Sequence, residues 1–180
     1  SFPIGNDFFH TDNLAGETTA GTRQDMDGRF HKSAHIGREM IVWAINMFLK
    51  VAPVEVLVVP GNHDQVTAWH LGDSIECYYH NDPNVVVRNE PTRRKYTEFG
   101  EVMLMFTHGN RGKQLDYPNV MATEQREMWG RTKYHECHIG HLHRTQVMEK
   151  PSVREEHGAR IRIISSLCAA DAWHAEHQYV

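Results

Sequence analysis

What the chain has little of narrows its class. It carries three cysteines in 180 residues, Cys77, Cys137 and Cys168, too few and too scattered for a disulfide framework. A reducing compartment, and so a cytoplasmic location, is expected. No apolar run approaches the ~18 residues of a transmembrane helix, and no membrane association is expected. No secretory leader is visible. Neither an internal repeat, nor a low-complexity tract, nor a linker interrupts the chain, so one domain over residues 1–180 is expected. Positive charge is not in excess: the formal net charge is -4 with histidine neutral. That argues against a broad basic face but not against a nucleic-acid partner, because bound divalent cations offset local negative charge. An initiating Met is also missing. Ser1-Phe2-Pro3-Ile4 reads as the end of a strand, which leads us to expect an N-terminally truncated fold with its first element missing.

Histidine is the residue in excess, with 14 copies. Neutral imidazole is the commonest protein metal ligand, so position matters more than number. Four places stand out, each a short apolar run that stops at polar, ligand-type residues. Phe2 to Ile4 runs into Gly5-Asn6-Asp7-Phe8-Phe9-His10. Val54 to Val59 is a buried strand that stops at Pro60-Gly61 and continues as Asn62-His63-Asp64. Val102 to Phe106 ends in Thr107-His108-Gly109-Asn110. A short strand around Glu136 to Ile139 ends in Gly140-His141-Leu142-His143. In open α/β sheets, ligand and catalytic groups gather at such carboxyl ends.

Between these ends the pattern predicts an α/β fold. Residues 11–32 read as a long loop rich in Gly, Thr, Asp and Asn. A helix is expected from an N-cap at Ser33 to about Lys50, with Trp43 and Met47 in its core-facing arc. A more polar helix follows from Asp64 to about His80, with Gly72 as a weak point, and then a strand at Val85 to Val87. Arg93 to Phe99 and Glu101 to Phe106 read as a hairpin turning at Gly100. One helix is expected from Asn119 to Trp129, closed by Gly130. Arg144 to Glu149 and Ala159 to Ile164 read as the arms of a second hairpin.

A carboxylate, an amide oxygen and imidazoles suit Mn²⁺, Fe²⁺ or Zn²⁺, and the lack of thiolate argues against a structural zinc site. In His141-x-His143 on extended backbone both rings share a face. A Cys137/His138/His141 cluster is the minor alternative. His31, His35, His70, His80, His157 and His177 have no partnered spacing and are expected on loops and helix surfaces.

The order Asn6-Asp7, Gly61-Asn62-His63-Asp64, His108-Gly109, Gly140-His141-Leu142-His143 resembles the later motifs of the calcineurin-like metallophosphoesterases. The resemblance spans nearly the whole chain. It implies a four-layer α-β-β-α sandwich of two mixed sheets and two divalent ions, Mn²⁺ first among Fe²⁺, Zn²⁺ and Ni²⁺. It also implies roles. Asp7 would bridge both metals, Asn62, His108 and His141 would complete one metal site, and His143 would ligate the other. His63 would face the substrate phosphate and protonate the leaving oxygen, with Asp64 holding its ring. The family's first motif, Asp-x-His, would lie upstream of Asp7 and is absent here, so the first metal site is incomplete in this chain and the chain as it stands is expected to be weakly active or inactive. Asn6 stands where the family usually has Gly.

Asp7-Phe8-Phe9-His10 is similar to the Asp-Leu-Phe-His of nuclease subunits in SbcCD-type DNA repair complexes. This makes His10 a substrate-side candidate and DNA the implied substrate, with an SbcC-type ATPase as the implied partner. The tail with Asp171, Trp173 and His174 also looks like phage-encoded DNA exonucleases of this group. Arg88 to Lys95, Arg111 to Lys113 and Arg126 to Lys133, with Tyr96 and Trp129, are either phosphate contacts or solvated faces. The expected activity is therefore metal-dependent phosphodiester hydrolysis on DNA. The alternatives are an inactive binding module of the same fold, or a phosphoesterase for nucleotides or phosphoproteins.

Overall fold

Strand β2 (Val54–Val59) is the middle of a three-stranded sheet, flanked by β1 (Phe2–Gly5) and β3 (Val85–Arg88), and both pairings are parallel. A parallel strand with neighbours on both edges is covered on both faces, hence its nearly unbroken apolar sequence. Val56, Leu57 and Val59 are fully buried. The computed structural model describes residues 1–26, 28–112, 116–141 and 153–165. The chain divides into two compact units, Ser1–Lys95 and Tyr96–Val180.

In the first unit two helices make the crossovers, α1 (Phe30–Phe48) from β1 to β2 and α2 (Gln65–Tyr79) from β2 to β3. Ile41 and Ile45 of α1, Leu71, Ile75 and Tyr79 of α2, and Val54, Val56 and Val58 of β2 share one core. The Tyr79 hydroxyl donates to Val42 O at 3.2 Å and Asn46 Oδ1 at 2.9 Å. Burial, with nearby Tyr78 and Asp82, pushes that hydroxyl up to about 12.

Two expectations for these helices are corrected. Helix α1 starts at Phe30 rather than Ser33, with no side-chain cap. The Ser33 N–H already bonds to Arg29 O, which places Ser33 inside the first turn. Trp43 and Met47 are not core residues: they are 64% and 42% exposed, and Ile36 and Met40 on the same stripe are also exposed. Only the Gly37-Ile41-Ile45 stripe is buried, so the apolar arc is wider than the face that packs. Gly72 lies inside α2 and is buried. A Cβ there would stand 2.5 Å from the Asn89 side chain, so the glycine makes room for it.

The second unit holds a five-stranded sheet in the order β4-β5-β6-β8-β7, formed by β4 (Arg94–Phe99, entered from the first unit), β5 (Val102–Thr107), β6 (Tyr134–Ile139), β7 (Val153–Glu156) and β8 (Ala159–Ile163). Strands β5, β6 and β8 run parallel and β7 pairs antiparallel to β8. The protein is thus α/β with two sheets and, among the described residues, four helices. This second sheet is mixed, whereas the described strands of the first run parallel. Gly100, at φ 58°, turns between β4 and β5 as expected.

The core of this unit contains Met103, Met105, Met121, Cys137, Ile139 and Ile161. The helix expected from Asn119 to Trp129 is two helices, α3 (Tyr117–Glu124) and α4 (Arg126–Arg131). Gln125 leaves helical geometry at φ -126°, ψ 53° and separates them. Gly130 lies within α4 rather than closing a helix, and Pro118 occupies the first turn of α3, where its missing N–H is tolerated. The Arg144 to Glu149 arm lies outside the described residues. Among the described residues no helix is long and apolar enough to cross a membrane.

Candidate functional site

In the first unit the register brings two motif-bearing strand ends together. Gly5 pairs with Val59, so Asn6 and Pro60 leave the sheet at the same level. A Cβ on Gly5 would lie 2.1 Å from Val59 O, so only glycine allows this approach. The chain then holds three non-glycine residues in the left-handed region: Asn6 (φ 59°), Asp7 (φ 66°) and His10 (φ 65°). Such conformations are costly and cluster at functional turns. They also explain position 6: glycine suits this φ best, and asparagine is among the side chains that tolerate it.

Asp7 is fixed from the β2 side. Its Oδ1 accepts the His63 backbone N–H at 2.9 Å, and Oδ2 is enclosed from solvent. Gly61 lies directly beneath. A Cβ there would stand 2.0 Å from Asp7 Oδ1, 2.4 Å from Asp7 N and 2.8 Å from Asp64 Oδ1. Asp64 is fully buried, and its Oδ2 accepts the Phe9 N–H at 2.8 Å. The Phe8 and Phe9 rings reach 2.8 Å from a Cβ placed at Gly37, so α1 has room for them only because it carries glycine there. Asp7, Gly61, His63 and Asp64 are therefore bound into one turn-on-turn assembly.

The expected Asp64–His63 ring contact is not present. Asp64 secures the β1 loop through Phe9 instead, and His63 Nδ1 is buried with no hydrogen-bond partner among the described residues. The neighbour of the His63 ring is His10, with centroids 5.3 Å apart. The two histidines assigned to the substrate side thus stand together. Asn62 leaves the same turn, partly exposed.

Sequence reasoning missed Asp12. Its Oδ1 accepts from Val66 N at 3.0 Å and Thr67 N at 2.8 Å, its Oδ2 accepts the Thr19 hydroxyl at 2.6 Å, and Thr19 Oγ1 in turn accepts from Gln65 N at 3.1 Å. A carboxylate from the long loop therefore caps α2 and meets its positive end. The partner is 55 residues distant in sequence, so local capping patterns do not show it.

In the second unit, Thr107 of β5 pairs with Ile139 of β6, so His108 and Gly140 leave the sheet side by side. His141 follows in the left-handed region at φ 62°. His141 Nδ1 and His108 Nε2 face each other at 3.1 Å, and the rings are nearly edge-to-face at 4.9 Å. His108 is buried. Which nitrogen donates depends on the tautomer, and with the N–H of each ring on its outer nitrogen both facing lone pairs would be open to one cation. His143 lies outside the described residues.

The Cys137/His138/His141 alternative does not assemble. Strand alternation sends Cys137 into the core, where burial pushes its thiol far up, away from the thiolate a metal needs. His138 Nε2 contacts Glu136 Oε1 at 2.6 Å instead. Burial of Glu136 raises its pKa, but hydrogen bonds from Arg162 and His138 outweigh this and leave it lowered. Three cations of the basic runs are engaged internally. Arg88 pairs with Glu55 and Glu90, Arg131 with Glu98, and buried Lys95 with Glu90, while Trp129 stacks on His135 at 3.6 Å. His35 and His80 make only local contacts, with Arg38 and with Cys77 O. No protein-family model matches the chain, and no curated protein or solved structure matches it either.

Proposed function

We propose that the protein is a metal-dependent phosphodiesterase acting on DNA, with its two sheets packed as the inner layers of an α-β-β-α sandwich. The observation that carries this reading is the His108–His141 pair, two imidazoles at adjacent strand ends with ring nitrogens facing at 3.1 Å. Asp7, His108 and His141 each offer one ligand atom, and in our reading they share one divalent ion, with Asn62 as a further ligand. His143 would serve a second ion.

Bound divalent ions would supply an activated water and charge stabilisation for in-line attack at phosphorus. The chain's own residues do the rest. The His63 N–H and Gly61 hold the Asp7 carboxylate in one orientation. The His63 imidazole gives its proton to the departing ester oxygen as the bond to phosphorus breaks. His10, beside it, orients the substrate strand. No side-chain nucleophile is required.

The test compares wild type with His63→Ala, with Mn²⁺, on single-stranded DNA, duplex DNA and a chromogenic phosphodiester, using this chain and a version extended upstream. We expect the extended chain to cleave DNA and His63→Ala to lose about 10²–10⁴-fold in rate, the usual contribution of a general acid. Hydrolysis of none of the three substrates by the extended wild type would overturn the enzyme reading in favour of a binding module.

A further inference from the structure

We propose that the first unit carries a nucleobase-binding pocket next to the His63 turn, which sets the substrate class as nucleic acid rather than phosphoprotein. It rests on the phosphodiesterase reading for its role, but its existence is tested without catalysis. A cavity of about 360 Å³ opens beside α2 and the β3 exit, with Pro60, Val66, Trp69 and Pro91 as apolar walls and Glu90 and Arg93 among its polar groups. This lies at the small end of the roughly 300–1,000 Å³ range of small-molecule sites, large enough for one nucleoside.

The chemistry of the lining fits a base. Trp69 is 42% exposed although it is a large aromatic on the first turns of a packed helix. An indole with proline rings is a stacking platform for a flat π-system. Its charged groups are an acceptor and a donor, not one sign of charge. The hydrogen bond from Lys95 holds the Glu90 carboxyl down at about 2, so it is an ionised acceptor throughout the physiological range. Arg93, whose Nη2 lies 3.5 Å from Gln65 Oε1, supplies a guanidinium fork. A base edge with an N–H donor beside a carbonyl or ring-nitrogen acceptor matches that pair.

The pocket is also built. Asn89 Nδ2 donates to Trp69 O at 2.9 Å and occupies the space left by Gly72, tying the β3 exit to the helix that carries the indole. Lys95, fully buried, bonds to the Glu90 backbone carbonyl as well as its carboxylate and holds the opposite rim. Pro60 leads into Gly61-Asn62-His63. Three Cα steps of about 3.8 Å put His63 within about 11 Å of the pocket wall, one nucleotide's reach.

The experiment uses the full chain in EDTA, so that metal sites and catalysis play no part. Guanosine, adenosine and cytidine are titrated with tryptophan fluorescence and calorimetry, against ribose 5-phosphate and tyrosinamide. We expect saturable binding of nucleosides with quenching absent in Trp69→Phe, about tenfold or more weaker binding in Trp69→Ala, and loss of discrimination among bases in Glu90→Gln with stacking kept. Circular dichroism confirms that each variant is folded. Three results would overturn the pocket: no saturable nucleoside binding, equal binding of ribose 5-phosphate, or stronger binding of tyrosinamide. Nucleoside binding without DNA cleavage by the extended chain would keep the pocket and sink the catalytic reading.

Discussion

The two motif-bearing turns of the molecule are held by different means. In the first unit, Asp7 is fixed by backbone: a neighbouring N–H at 2.9 Å, a glycine with no room for a methyl group, and three left-handed residues. In the second, His108 and His141 meet ring to ring, with Nε2 and Nδ1 facing at 3.1 Å. The donors of the first arrangement are peptide groups, which do not titrate. In the second, which ring donates is set by the tautomer.

The largest effect should come from breaking the backbone-held turn. Gly61→Ala would drive a methyl group into Asp7 and Asp64, and overpacking of this kind costs about 1–3 kcal/mol, occasionally more. Urea denaturation should show that loss. Next is Asp12→Ala, which removes the cap of α2 and should cost about 1–2 kcal/mol. Its midpoint should fall in urea while the imidazole pair, in the other unit, keeps its metal affinity. That contrast would separate support of one turn from support of both.

A smaller effect follows from pH. The folded Glu90 carboxyl is held at about 2 against an ordinary 4.5, first by the Lys95 hydrogen bond. A depressed carboxylate adds stability above its unfolded pKa and loses it as pH falls through the folded one. Stability should therefore fall between about pH 5 and pH 2 in wild type, and this part of the slope should flatten in Glu90→Gln. Smallest is Tyr79→Phe, which removes the hydroxyl bond to Val42 O and Asn46 Oδ1 and should cost about 1 kcal/mol in the same assay.

Much of the strand framework was legible because buried parallel strands announce themselves. Val54 to Val59 is continuous, apolar and bounded by turn residues, and the hairpin at Gly100 has its glycine where φ is positive. The pairing of turn ends, Asn6 with Pro60 and His108 with Gly140, follows from strand register. Contacts made across long sequence distance were not legible. Asp12 caps a helix from a loop, and Asp64 serves Phe9 N rather than its neighbour's ring, and neither leaves a local pattern. The exposed Trp43 and Met47 show the limit of periodicity: it marks which residues share a face, not how wide a face is covered. Gln125 shows another, since an unremarkable residue splits a helical stretch that no glycine or proline interrupts there.

The central claim is that His108 and His141 are metal ligands rather than a structural pair. Calorimetric titration of the full chain with Mn²⁺ at two pH values tests it most directly, with His141→Ala alongside. Binding should be saturable and, because an imidazole ligates only in its neutral form, stronger at the higher pH. Removing a ligand costs more than removing its outer partner, so His141→Ala should weaken binding by more than about tenfold. Binding of Mn²⁺ by His141→Ala at wild-type affinity, or no saturable binding by the wild type at either pH, would contradict the account.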